Sequence, residues 1–170
     1  MKKLSDYLGN ELIISQKNFW KREYELRSGE ELIGRMRYPR IFSHLAEHDI
    51  QNESYEFYRS GIFSRDVDIR KKGYQNPFAH FKSALFGKKG VLELQRGVKL
   101  NVKLGFFKRQ FEIYLVGNDL LISAQSKFSF KVRSAVFIEK RSEITDENPW
   151  ILMFGFYLVQ LRKRRSGAAS

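Results

Sequence analysis

Residues 149–161 read Pro-Trp-Ile-Leu-Met-Phe-Gly-Phe-Tyr-Leu-Val-Gln-Leu, apolar on every side of any helix drawn through them. A helix with no polar face has to be buried, in a protein core or in a membrane. Thirteen residues at about 1.5 Å each reach roughly 20 Å, short of the roughly 20 residues that span a bilayer. The first requirement on the rest of the chain is therefore to surround this segment.

What precedes it alternates. Val98, Leu100, Val102 and Leu104 are interleaved with Lys99, Asn101 and Lys103, the period of a strand with one buried and one wet face. Tyr24 and Leu26 alternate with Glu23 and Glu25 in the same way, and 32–38 returns after Ser28-Gly29 as a hairpin partner. Segments 111–115 and 120–124 flank Gly117-Asn118-Asp119, a strong hairpin turn. Further strand signals fall at 44–50, 55–58, 67–70, 92–95, 128–132 and 135–139. The total is about eleven or twelve short strands, at the spacing expected of a barrel or sandwich.

Three helical signals interrupt the pattern. Residues 4–8 form one turn with Ser5 as cap and Gly9 as stop. Asn76-Pro77 opens and Gly87 closes a segment in which Phe78, Phe81 and Leu85 share one helical face, predicting a short amphipathic helix near residues 77–86. The late helix opens on Asp146, Glu147, Asn148 and Pro149 and closes on Arg162, Lys163, Arg164 and Arg165. Acid at its start and base at its end both suit the helix dipole. No repeat or linker divides the chain, so residues 1–165 are expected to be one domain and 166–170 a disordered tail.

A closed antiparallel barrel removes sheet edges, and a wide one has an interior that must be filled. The fold expected is mainly β: a closed antiparallel barrel of about 12 strands around the C-terminal hydrophobic helix. This order of elements resembles the Tubby C-terminal-like superfamily, which includes tubby domains, phospholipid scramblases and LURP-one-related proteins. The resemblance covers nearly the whole chain and rests on strand order and the late helix. It implies a role at membranes, since tubby domains bind phosphoinositides through exposed basic residues and scramblases act on lipids. No signature peptide aligns, so no binding residue is carried over from the family.

Charge points the same way. The net charge is +12, and the excess lies beyond residue 50. Residues 1–50 hold 9 basic and 8 acidic side chains, 51–100 hold 10 and 5, and 101–170 hold 12 and 6. A basic surface attracts phosphate-bearing partners. There is no cysteine, which removes disulfides and thiolate metal sites and suits a reducing cytosol. Asp6, Asn10 and Glu11 interrupt any signal-peptide core, so a cytoplasmic, peripheral-membrane location is expected.

Enzyme chemistry leaves no mark. There is no Gly-x-Ser-x-Gly, no cysteine nucleophile and no phosphate loop; Gly87-Lys88-Lys89-Gly90 is too short and lacks the following Ser or Thr. His44 and His48 are spaced i, i+4 but sit in a strand-like segment without a third ligand. An exposed strand or loop is expected there, with no metal and no cofactor.

The basic clusters carry the functional signal. Arg70-Lys71-Lys72, Lys88-Lys89, Lys108-Arg109 and Arg162-Lys163-Arg164-Arg165 stand at element ends or in turns. Phe78, Phe81 and Phe86 precede the second cluster, and Phe106 and Phe107 the third. Cations beside aromatic rings suit a membrane interface, so these eleven residues are the candidate headgroup contacts. The expected function is non-enzymatic binding of anionic, phosphoinositide-like phospholipid headgroups. Nucleic acid, whose bases would stack on the same rings, is the second partner class, and a structural or protein-interaction scaffold the third.

Overall fold

The computed structural model describes residues 2–18, 20–40, 42–84, 87–105, 110–127 and 133–168. After a 3-10 turn at Leu4–Tyr7 come twelve strands and two helices. The strands are β1 (Glu11–Asn18), β2 (Glu23–Ser28), β3 (Glu31–Arg37), β4 (Ala46–Ile50), β5 (Glu53–Arg59) and β6 (Val67–Lys71). They continue as β7 (Ala79–Ala84), β8 (Lys89–Glu93), β9 (Lys99–Leu104), β10 (Phe111–Leu115), β11 (Asp119–Ser126) and β12 (Arg133–Ile138). The helices are α1 (Glu143–Glu147) and α2 (Ile151–Ala168).

Each strand pairs antiparallel with its neighbours in sequence, and β1 closes the ring on β12 through Leu12↔Val136 and Ile14↔Ser134. Alternation decides which side faces in. Leu100, Val102 and Leu104 of β9 are buried while Lys99 and Lys103 face water. Two-residue turns set the register where backbone in the left-handed region is tolerated, as at Gln51-Asn52 between β4 and β5.

The α2 helix fills the barrel. Every residue from Ile151 to Leu161 is buried, and its faces meet different walls. Phe154 packs on Phe57 and Phe81 with ring centroids 5.4 and 5.7 Å away, and Phe156 packs on Tyr24 at 5.0 Å. Toward β10 the helix presents Gly155, against the ring of Phe111. A ring of twelve strands encloses more space than its own side chains fill, and the helix occupies that space. Before it, α1 is capped by Ser142, whose Oγ accepts from the Ile144 amide. Asp146 accepts from the Ser5 amide and hydroxyl at 2.8 and 2.7 Å. The N-terminal turn is thus tied to α1, so Asp146 does not open the late helix, whose first turn holds no acid. Ser5 serves that tie rather than capping its own turn, whose N-cap is Lys3.

Several sequence expectations change. The helix near residues 77–86 does not form: Ala79–Ala84 is β7, paired with β6 through Val67↔Phe81 and with β8 through Phe81↔Leu92. Ala79 and Phe81 are buried while His80 and Lys82 are exposed, a period of two. The strand wins because without it β6 and β8 would each keep an unpaired edge. Leu85 and Phe86, and the strand expected at 128–132, lie outside the described residues. Glu11–Asn18 is a strand the alternation did not mark, and α2 runs past Arg165 to Ala168. His48 is not exposed but fully buried on the inner face of β4.

Candidate functional site

The up-and-down order sends alternate connections to opposite ends of the barrel. At one end lie Trp150 and the β6–β7 connection, around a cavity of about 480 Å³. Its lining is mixed in sign: Lys71 pairs with Glu53 at 3.0 Å, and Asp146 is occupied by Ser5. At the other end α2 emerges, among the connections β1–β2, β3–β4 and β5–β6.

Local sequence shapes these three loops. The Asn18 side chain accepts from the Trp20 and Lys21 amides at 3.0 and 3.1 Å. Ser43 Oγ accepts from the Leu45 amide, and Ser64 Oγ from the Asp66 amide, each at 3.0 Å. These are the short side-chain turns that Asn and Ser form with their own backbone. Each leaves an apolar side chain pointing into solvent. Trp20 is 85% exposed, Phe42 95%, Ile62 83% and Phe63 96%. Among the described residues the other exposed large hydrophobics reach at most 67%, at Tyr74, so the four extreme cases among them all stand at the helix-exit end.

Cations fill the same loops. Lys21, Arg22, Arg40 and Arg65 are set against one carboxylate, Asp66, which accepts from the Ser83 amide at 2.8 Å. The end of α2 adds three guanidiniums held by carbonyls rather than by carboxylates. Arg162 donates to Gly105 O at 2.6 Å, Arg164 to Ser43 O at 2.8 Å and Arg165 to Ser64 O at 2.6 Å. Arg59 donates to the same Ser64 carbonyl at 2.9 Å, and Tyr157 to His44 O at 2.6 Å. Arg22 and Arg164 both lie over the Tyr38 ring, at 4.1 and 4.2 Å from its centroid. The basic turn of α2 therefore braces the loops that carry Phe42 and Phe63.

Among the described residues the α2 guanidiniums pair with no carboxylate, and two titratable groups, Arg165 and His44, register the neighbouring cations as well as burial. Burial, then repulsion from Arg59 and Arg65, lowers the Arg165 pKa. Burial alone lowers that of Arg162. Burial, then Arg59, Arg165 and Arg22, lowers that of His44.

The barrel wall differs. Glu25 is met by Lys17, Arg27 and Arg35 at 2.9 to 3.2 Å. Arg70 pairs with Glu56 at 2.6 Å and lies over the Tyr58 ring; Lys71 pairs with Glu53 and Lys72 with Glu47, each at 3.0 Å. The first candidate cluster is thus matched by carboxylates, on β6 and the connection that follows it. Lys88, Lys89 and Arg162–Arg165 belong to the helix-exit end, whereas Lys108 and Arg109, with Phe106 and Phe107, lie outside the described residues. The residues that sequence reasoning missed are Trp20, Phe42, Ile62 and Phe63, with Lys21, Arg22, Arg40 and Arg65 beside them. Among the described residues no group of three or more His, Asp or Glu could hold a metal, and no helix is long and apolar enough to cross a membrane.

Fold and site together define a class: a helix-plugged antiparallel barrel with one cationic, apolar-tipped end. Comparison with protein-family models, with curated proteins and with solved structures gives no match to this chain.

Proposed function

We propose that this protein is a non-enzymatic, cytoplasmic membrane-docking barrel that binds anionic phospholipid headgroups with its helix-exit end. The observation that carries the reading is the coincidence of Trp20, Phe42, Ile62 and Phe63 with the basic α2 terminus at one end. Rings and aliphatic side chains that protrude singly from a rim enter the upper few ångströms of a bilayer, while cations beside them meet phosphates. Each cation near an anionic surface adds about 1 kcal/mol. An aliphatic tip such as Ile62 suits acyl chains and has no face on which a base could stack, which favours lipid over single-stranded nucleic acid. The order of twelve strands and a final buried helix supports placing the chain with the tubby-like barrels, whose implied membrane role agrees.

Flotation with vesicles of rising anionic lipid content tests this. Binding should climb with anionic fraction and weaken with salt. Equal, negligible binding to neutral and anionic vesicles at low salt would remove the proposal.

A further inference from the structure

Beside the last turns of α2 the helix-exit end opens into a cleft of about 250 Å³. Arg65, Arg162 and Arg165 line it, with Ser83 and Ser166, over a floor of Phe81, Leu104, Leu158 and Leu161. Among its described lining residues there is no carboxylate, and the neighbouring Asp66 is engaged by the Ser83 amide. Arg162 and Arg165 each spend one N–H on a carbonyl, and a guanidinium has five. Charge, donors and an apolar floor thus meet in one place.

We infer that this cleft takes the phosphomonoester headgroup of a single lipid of the phosphatidic-acid type, with the start of its acyl chains on the leucine floor. Three guanidiniums facing one group match a phosphomonoester, which carries about −1.5 to −2 at pH 7, better than the single charge of a diester. Planar guanidiniums also suit paired bonds to phosphate oxygens. The volume is below the roughly 300 Å³ at which pockets begin to enclose whole drug-sized ligands. A phosphate and its glycerol fit within it. The floor selects a lipid over free phosphate, which would gain nothing from Leu104, Leu158 and Leu161. Depth agrees as well. Ile62 and Phe63 stand three and two residues before Arg65, so a rim whose tips enter the bilayer holds the cleft at headgroup level. Repulsion of Arg165 by Arg59 and Arg65 is relieved by an anion.

The inference rests on the docking reading, and one experiment separates the two. Wild-type protein is floated with phosphatidylcholine vesicles carrying either phosphatidic acid or phosphatidylglycerol, adjusted to equal zeta potential. A preference of about fivefold for phosphatidic acid is expected, roughly one extra cation's worth of surface attraction. Arg65→Gln and, separately, Ser83→Glu should erase that preference; both positions are on or near the surface, and thermal melts confirm the fold. The double variant Lys21→Gln/Arg40→Gln, outside the cleft, should weaken binding to both vesicles and keep the preference. Equal wild-type binding to the two vesicles would overturn the cleft site and leave docking intact. A preference that survives both cleft variants would overturn it too. Binding to neither vesicle would remove cleft and docking together.

Discussion

A Cβ placed on Gly155 would stand 2.3 Å from Cδ2 and Cε2 of Phe111. The central helix therefore touches β10 through backbone, and the fully buried Phe111 ring fills the space a side chain would take. Glycine inside a helix costs about 1 kcal/mol relative to alanine, so the residue is there for the approach. Overpacking a filled core costs about 1–3 kcal/mol, and a closed wall gives the ring little room to withdraw. Gly155→Ala should lower stability by up to about 2 kcal/mol net. Urea unfolding would show a lower midpoint at unchanged slope; a midpoint equal to wild type would mean that the wall yields.

His48 should make stability fall in mild acid. Its Nδ1 lies 2.9 Å from the Arg35 carbonyl, which only accepts, so Nδ1 carries the proton and Nε2 does not. Nε2 is buried without a partner among the described residues. Burial lowers the pKa from 6.5 to about 4, against smaller raising effects of the Arg35 bond and Asp49. The unfolded chain thus takes up the proton first as pH drops below 6.5, and the loss continues until about pH 4. Linkage gives a loss of about 2 kcal/mol between pH 7 and pH 5 from this group. His48→Gln should flatten that part of the pH profile in chemical denaturation. An unchanged slope would place the proton uptake elsewhere.

Most of the architecture was legible because alternation survives wherever one face of a strand is wet. Lys99 to Leu104 is the plainest case. It failed where two periods overlap: Phe78 and Phe81 fit a helical face, yet Phe81 points into the barrel while His80 and Lys82 point out. It failed again at β1, where Leu12, Ile13 and Ile14 run together and only the first and last are fully buried. The candidate site was half visible. Arg162–Arg165 announced a basic terminus, but a single Phe42 or Phe63 in a loop reads like any core residue until topology gathers the loops at one end. Pairing was invisible too: nothing local to Arg70 indicates that Glu56, on the neighbouring strand, meets it.

The central helix tolerates no charge. Phe154 is 0% exposed and packs on Trp150, Phe57, Phe81 and Tyr157. Phe154→Asp removes a large side chain, about 3–5 kcal/mol, and buries a carboxylate among aromatic rings. The sum approaches the whole stability of an ordinary domain, about 5–15 kcal/mol. Circular dichroism should show no cooperative melt. A variant that melts as wild type does and only loses vesicle binding would make this helix a membrane anchor instead of a plug.

The rim tips should separate binding from folding. Phe42 and Phe63 are 95% and 96% exposed, so serine at either position should change stability by no more than about 0.5 kcal/mol. If the rings enter a bilayer, each loses up to about 2 kcal/mol of partitioning on removal. Phe42→Ser/Phe63→Ser should therefore float poorly with anionic vesicles while melting like wild type. Its remaining binding should keep the wild-type sensitivity to salt, because Lys21, Arg40 and the α2 arginines are untouched. Lys21→Gln/Arg40→Gln should do the reverse and blunt the salt response, since surface attraction scales with the cations present. Equal flotation of the tip variant and wild type would show that the rings stay in water and that charge alone holds the protein at the surface.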